Sequence, residues 1–168
     1  MDADSPESEL SWQERLDLIV ETMRELSRET DPQTLVRNYR SRISRISRID
    51  GMVSLTRRGL EPPRYRVARA SIWKEEFNPW EQRNLLPVLE GGLLGELLFA
   101  GKARIIDHLE IAKDDPGAPY FAGMRSLVSI PVFDEGTVKN TVIFLRQRAC
   151  GFDRERFPEM IWNTNLLG

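Results

Sequence analysis

The side chains of this 168-residue chain that could carry chemistry are few. One histidine is present, His108, directly after Asp107, where a short apolar run gives way to polar sequence. A place in a pocket is open to it, although a loop histidine more commonly faces solvent. One cysteine is present, Cys150, just before the last helical pattern. It is expected to pack at the base of that helix, with a redox role as the alternative. Asp114-Asp115 runs straight into Pro116-Gly117, which makes a turn rather than a catalytic pair of carboxylates. Neither a G-x-S-x-G elbow nor a phosphate-cradling glycine loop occurs, and no His/Cys/Asp set has metal-ligand spacing. Catalysis by this chain alone is therefore not expected. Hydrogen bonding is what remains. Ser126 and Ser129 stand inside the apolar run SLVSIPVF, where small hydroxyls either meet a ligand's polar groups or bond locally.

The composition suits a folded scaffold for such groups. Apolar residues make up 40% and charged residues 30%, a globular balance, and the length fits one domain with an extra helix or two. A single cysteine allows no internal disulfide, which points to a reducing compartment and a cytoplasmic location. The opening MDADSPESE is acidic without an apolar core, and no apolar run approaches the ~20 residues of a membrane span. Neither a signal peptide nor a membrane partner is expected. The net charge of −2 hides an asymmetry: residues 1–30 carry nine acids and three bases, residues 31–69 ten arginines and three acids. A basic block can bind nucleic acid. An acidic first helix lying against an arginine-rich second one accounts for it without such a partner, and none is expected.

Residues 1–9 read as a disordered lead-in. Ser11 as N-cap, with Glu14 three residues on, predicts a helix over residues 10–29. Its apolar positions Trp12, Leu16, Ile19, Met23 and Leu26 recur at spacings of 4, 3, 4 and 3. So narrow a seam suits pairing with another helix, at a subunit interface or against its own domain. Asp31 and Pro32 open a second helix with Leu35, Tyr39, Ile43, Ile46 and Ile49 on one face, ended by Asp50-Gly51. The period then changes. Residues 51–58 and 64–72 predict an antiparallel strand pair, and Asn78-Pro79-Trp80-Glu81 starts a short helix that Pro87 stops. A helix over 93–100 follows, with Gly101 past its end, then a strand over 103–106. A polar segment with one helical turn near 120–122 leads to a hairpin over 125–148, and a final helix is predicted over 151–168. The order specifies an α+β fold: an antiparallel sheet of about five to six strands with helices packed on one face.

Three stretches in register resemble the GAF-domain family. GGLLGELLFAGKARIID is similar to its glycine-led helix, Gly-Lys turn and short strand ending in Asp. GMRSLVSIPVFDEG matches its Arg-Ser-led apolar strand with an internal proline, and FDRERFPEM resembles its Phe-led closing helix. The resemblance covers about residues 15–168. It implies a GAF domain over residues 30–168 with a pocket under residues 73–124, on the sheet face away from the terminal helices. It also implies a bacterial signalling role in which a small molecule controls an attached output domain. A ligand-free dimerisation and protein-interaction module is the alternative. Trp73, Phe77, Trp80, Tyr120 and Phe121 fall in the two irregular segments that roof the family's pocket, or else cap a closed core. With His108, Ser126 and Ser129 they are the ligand-pocket candidates. Terminal helices of such domains pair in parallel dimers, which gives the Trp12–Leu26 seam a homodimer to form.

The same resemblance implies an output domain beyond Gly168: a histidine kinase, a diguanylate cyclase or, favoured by analogy, a metal-dependent serine/threonine phosphatase. No specialised cofactor is identified. Cyclic-nucleotide-binding members carry an Asn-Lys-Phe-Asp-Glu-type signature, which FDRERFPE repeats only in part. Bilin-binding members need a cysteine near the crossover, whereas Cys150 follows the last strand. Haem sensing asks for a ligating histidine, and His108 stands alone. Methionine sulfoxide reductases of this fold need several cysteines, because a resolving thiol must reduce the first.

Overall fold

The computed structural model describes residues 48–73 and 83–165, with Gln13, Glu14, Asp31, Thr34, Arg37 and Ser41. The lead-in, the Trp12–Leu26 seam, most of the second helix's apolar face and the segment 74–82 with Phe77 and Trp80 lie outside the described residues. The start of the second helix is as expected: the Thr34 amide and hydroxyl both donate to Asp31 Oδ2, at 3.3 and 2.7 Å.

Gly51–Thr56 (β1) and Arg64–Ala70 (β2) form the expected antiparallel pair. A strand that the sequence reading passes over, Val88–Glu90 (β3), pairs with the outer side of β2, Leu89 opposite Tyr65. At three residues between Pro87 and Gly91 it is too short to show a period. Gly92–Ala100 forms α1, and Gly101 beyond it takes the left-handed φ of 62° that favours glycine. Arg104–Ile106 (β4) follows, then the long hairpin of Ser126–Asp134 (β5) and Thr137–Arg146 (β6). The six strands lie in the order β3-β2-β1-β6-β5-β4, every neighbouring pair antiparallel. Although late in sequence, the hairpin therefore fills the middle of the sheet.

The final helix, Phe157–Asn165 (α2), begins later than expected. Asp153 accepts the Glu155 amide on its side chain at 2.9 Å and the Arg156 amide on its carbonyl, which holds residues 153–156 in a turn. Pro158 fits only the first turn of a helix, so the helix starts beside it. Cys150 also departs from expectation. It is exposed, with φ of 52°, rather than packed under α2.

Alternation along the central strands divides the core in two. On one face Val53, Leu55, Leu127, Ile143 and Leu145 pack with Tyr65 and Val67 under Leu94, Leu97 and Leu98 of α1. On the other, Met52, Val128, Ile130 and Phe144 meet Phe152 and Met160, with Phe157 and Ile161 of α2 against them. Each fully buried Leu or Ile stabilises by roughly 1.5–3 kcal/mol. Residues 126–132 of β5 are all buried, so the strand is covered on both faces, as the lack of a polar face in its sequence required. Among the described residues no helix is long and apolar enough to cross a membrane.

Candidate functional site

The α1 face gathers the candidate residues that can act together. Its floor is the strand pair β5–β6, where the register places Ser129 beside Ile143, and Thr141 beside Leu55 and Pro131. Both hydroxyls point to the α1 side by the strand alternation. Ser129 is 0% and Thr141 1% exposed, and among the described residues neither hydroxyl has a hydrogen-bond partner.

The segment between β4 and β5 crosses this face as a strap. It carries the one-turn 3-10 helix Ala118–Phe121, with Tyr120 and Phe121 buried. The Trp73 ring meets Tyr120 edge-on, 6.4 Å between centroids and 72° between planes. The Trp73 side chain also hydrogen-bonds Tyr120, and burial pushes the Tyr120 phenol above its usual range despite that bond. Trp73, Tyr120 and Phe121 thus lie together on the α1 face.

Asp115 latches the strap to the helix. Its Oδ2 accepts the Leu93 amide at 2.9 Å, capping the N-terminus of α1, and its Oδ1 accepts the Gly117 amide at 2.7 Å. Gly92 makes the approach possible, since a Cβ there would lie 2.5 Å from Asp115 Oδ1. Beneath the same turn, Tyr65 donates its hydroxyl to the Gly91 carbonyl at 2.7 Å. Burial first, then the Asp115 carboxylate, push the Tyr65 phenol from 10.0 to about 12.

The remaining candidates lie elsewhere. Ser126 is on the opposite face, where its hydroxyl donates to the Arg148 carbonyl at 2.5 Å and accepts the Gly151 amide at 3.2 Å. It fastens the loop after β6. His108 is exposed at the end of the sheet, its Nε2 3.5 Å from Cys150 Sγ, so the chain's one histidine and one cysteine meet. The Cys150 amide donates to the Asp107 carbonyl, and Arg154 pairs with the Asp107 carboxylate at 2.7 Å. Among the described residues no three His, Cys, Asp or Glu side chains gather as a metal site. On the α2 face a groove of about 330 Å³ opens beside Ile49, Met52 and Phe144.

Sequence reasoning missed Thr141, Tyr65 and Asp115. Thr141 had a signal: it shares the alternation of Ile143 and Leu145, so it had to face inward. Asp115 had none, because the helix it caps starts more than twenty residues earlier.

Among solved structures, the chain is similar to the GAF domain of a phosphoenolpyruvate-protein phosphotransferase from Coxiella burnetii, with a TM-score of 0.67 and 11% identity over 91% of this chain and 89% of that one. It is similar to the free methionine-R-sulfoxide reductase of Neisseria meningitidis, TM-score 0.63 and 10% identity over 99% and 92%. It is also similar to the GAF domain of a two-component sensor histidine kinase from Bacillus halodurans, TM-score 0.57 and 11% identity over 82% and 90%. No family profile and no curated protein sequence matches the chain. At such identities the likeness establishes the fold, and that fold is the GAF fold.

Proposed function

From the GAF fold as premise, we propose that this chain is a sensory module that binds a small ligand between α1 and the central strands and regulates an attached output domain. What carries the reading is the aromatic roof of Trp73, Tyr120 and Phe121 over a sheet face whose floor includes two buried hydroxyls. The sensor kinase among the similar structures supports a signalling context by analogy. A phosphatase is the output we favour, and a histidine kinase or diguanylate cyclase the alternative. The module works in the cytoplasm, which its single cysteine supports. It acts as a homodimer through its terminal helices.

The reductase of the same fold does not extend to this chain. A thiol cycle needs a second, resolving cysteine, and the sequence has one. The test is a thermal-shift and native mass-spectrometry screen of the 168-residue protein against nucleotides, amino acids and organic acids. We expect at least one compound to raise Tm, and Tyr120→Ala to abolish the gain. An intact dimer that no compound shifts would instead support the ligand-free interaction module.

A further inference from the structure

We propose that the ligand received on the α1 face is small and uncharged, with a hydrogen-bonding head group held by the hydroxyls of Ser129 and Thr141. This rests on the reading above that the face takes a ligand, and it names the chemical class. Across the sheet the α1-facing side chains form rungs: Leu127 beside Leu145, Ser129 beside Ile143, Pro131 beside Thr141. Ser129 and Thr141 are therefore diagonal neighbours on the adjacent strands β5 and β6, about 7–8 Å apart at most, within reach of one head group.

Both are buried, and among the described residues neither hydroxyl has a partner. A hydroxyl left so is costly, and Ala or Val of similar shape would remove the cost. Among the described residues these two are the buried hydroxyls left so. Ser126 makes two hydrogen bonds, and Thr164 donates to the Met160 carbonyl. The exceptions stand together, on the face under the aromatic roof.

The surroundings select against charge. Leucines of α1 and Val53, Leu55 and Ile143 of the sheet make up the apolar cluster of the face the pair points to. Arg104 and Glu96, at the sheet edge on the same side, are exposed and pair with each other at 3.0 Å. Arg57 on this face is engaged over the Phe99 ring of α1, 5.5 Å from its centroid. A buried carboxylate or phosphate at the pair would therefore meet hydroxyl donors in an apolar surround, and burying an unpaired charge is far costlier than burying an amide or alcohol. A hydroxyl both donates and accepts, so the two can match a carbonyl and an N–H or O–H of one neutral group.

The test compares benzamide with benzoate, alike in shape and different in charge, by methyl NMR of the 168-residue protein. Benzamide is expected to shift the Leu127 and Ile143 methyl signals saturably, with benzoate at least tenfold weaker. Ser129→Ala and Thr141→Val should each weaken benzamide at least fivefold, and without probe leave Tm equal or higher. Benzoate binding as tightly as benzamide, or unchanged benzamide affinity in both variants, overturns the class while the pocket stands. A Tm lowered in both variants also overturns it, since the hydroxyls would then be structural. If neither probe moves those methyls, class and pocket fall together. The comparison of the two probes on the unaltered protein holds even if a variant fails to fold.

Discussion

Tyr65 places its hydroxyl under the first turn of α1 with no solvent exposure, and its phenol is pushed up to about 12. The fold favours the neutral form. Its contribution is therefore complete below pH 10 and lost as the pH climbs from 10 towards 12. Over that window the Tm of the wild-type protein is expected to fall more steeply than that of Tyr65→Phe, which cannot ionise. Parallel profiles would refute the assignment. At neutral pH the same variant should cost about 0.5–1.5 kcal/mol in denaturant unfolding, because the Gly91 carbonyl loses its donor. Asp115→Ala should cost about 1–2 kcal/mol through the lost cap of α1. Gly92→Ala should be at least as damaging, since it combines a φ of 73° with the clash against Asp115. A stability change under ~0.3 kcal/mol in both would mean that the strap is not latched there. Individual residues were legible where alternation applied, as at Ser129. They were illegible where a distant segment supplied the partner, as with Asp115 and with the meeting of His108 and Cys150.

At the scale of elements, β5 shows how a strand ends its pairing. β4 covers β5 only from Leu127 to Ser129, and beyond it the outer edge is open. The Asn165 side chain fills part of that gap: Nδ2 donates to the Pro131 carbonyl at 3.0 Å and Oδ1 accepts the Phe133 amide at 3.2 Å. A side-chain amide here does what a neighbouring strand's peptide would do. Pro131 faces the same edge, so its missing N–H breaks no bond to β6, which answers the demand its sequence position made. Asn165→Ala is expected to speed hydrogen exchange of the Phe133 amide at least tenfold and to destabilise by about 1 kcal/mol. Unchanged exchange would show that α2 does not guard the edge. The hairpin and α1 were readable because each is long and shows its period or its caps. β3 and the true start of α2 were not: the first is too short, and the second is set by a turn around Asp153.

At the scale of the whole molecule, the α+β order, antiparallel pairing and two-sided cover of β5 follow from patterns spread over many residues, and these were the most legible level. Assembly is a prediction that falls on residues 10–29. Replacing Leu16 and Ile19 by glutamate is expected to turn a dimer into monomers in analytical ultracentrifugation, and unchanged dimers would remove the seam from the account.

The sheet order also has a consequence for synthesis. β1 hydrogen-bonds to β6 with Val53 opposite Ile143, so a strand made early waits for one made some ninety residues later. Until Arg146 has left the ribosome, the inner edge of β1 stays open, and the polypeptide behind it is a nascent chain whose central pairing partner does not yet exist. Closure of such distant ends is slow. A chain stopped after Ile106 would carry β1 through β4 without the hairpin that joins them, leaving bare strand edges of the kind that drive aggregation.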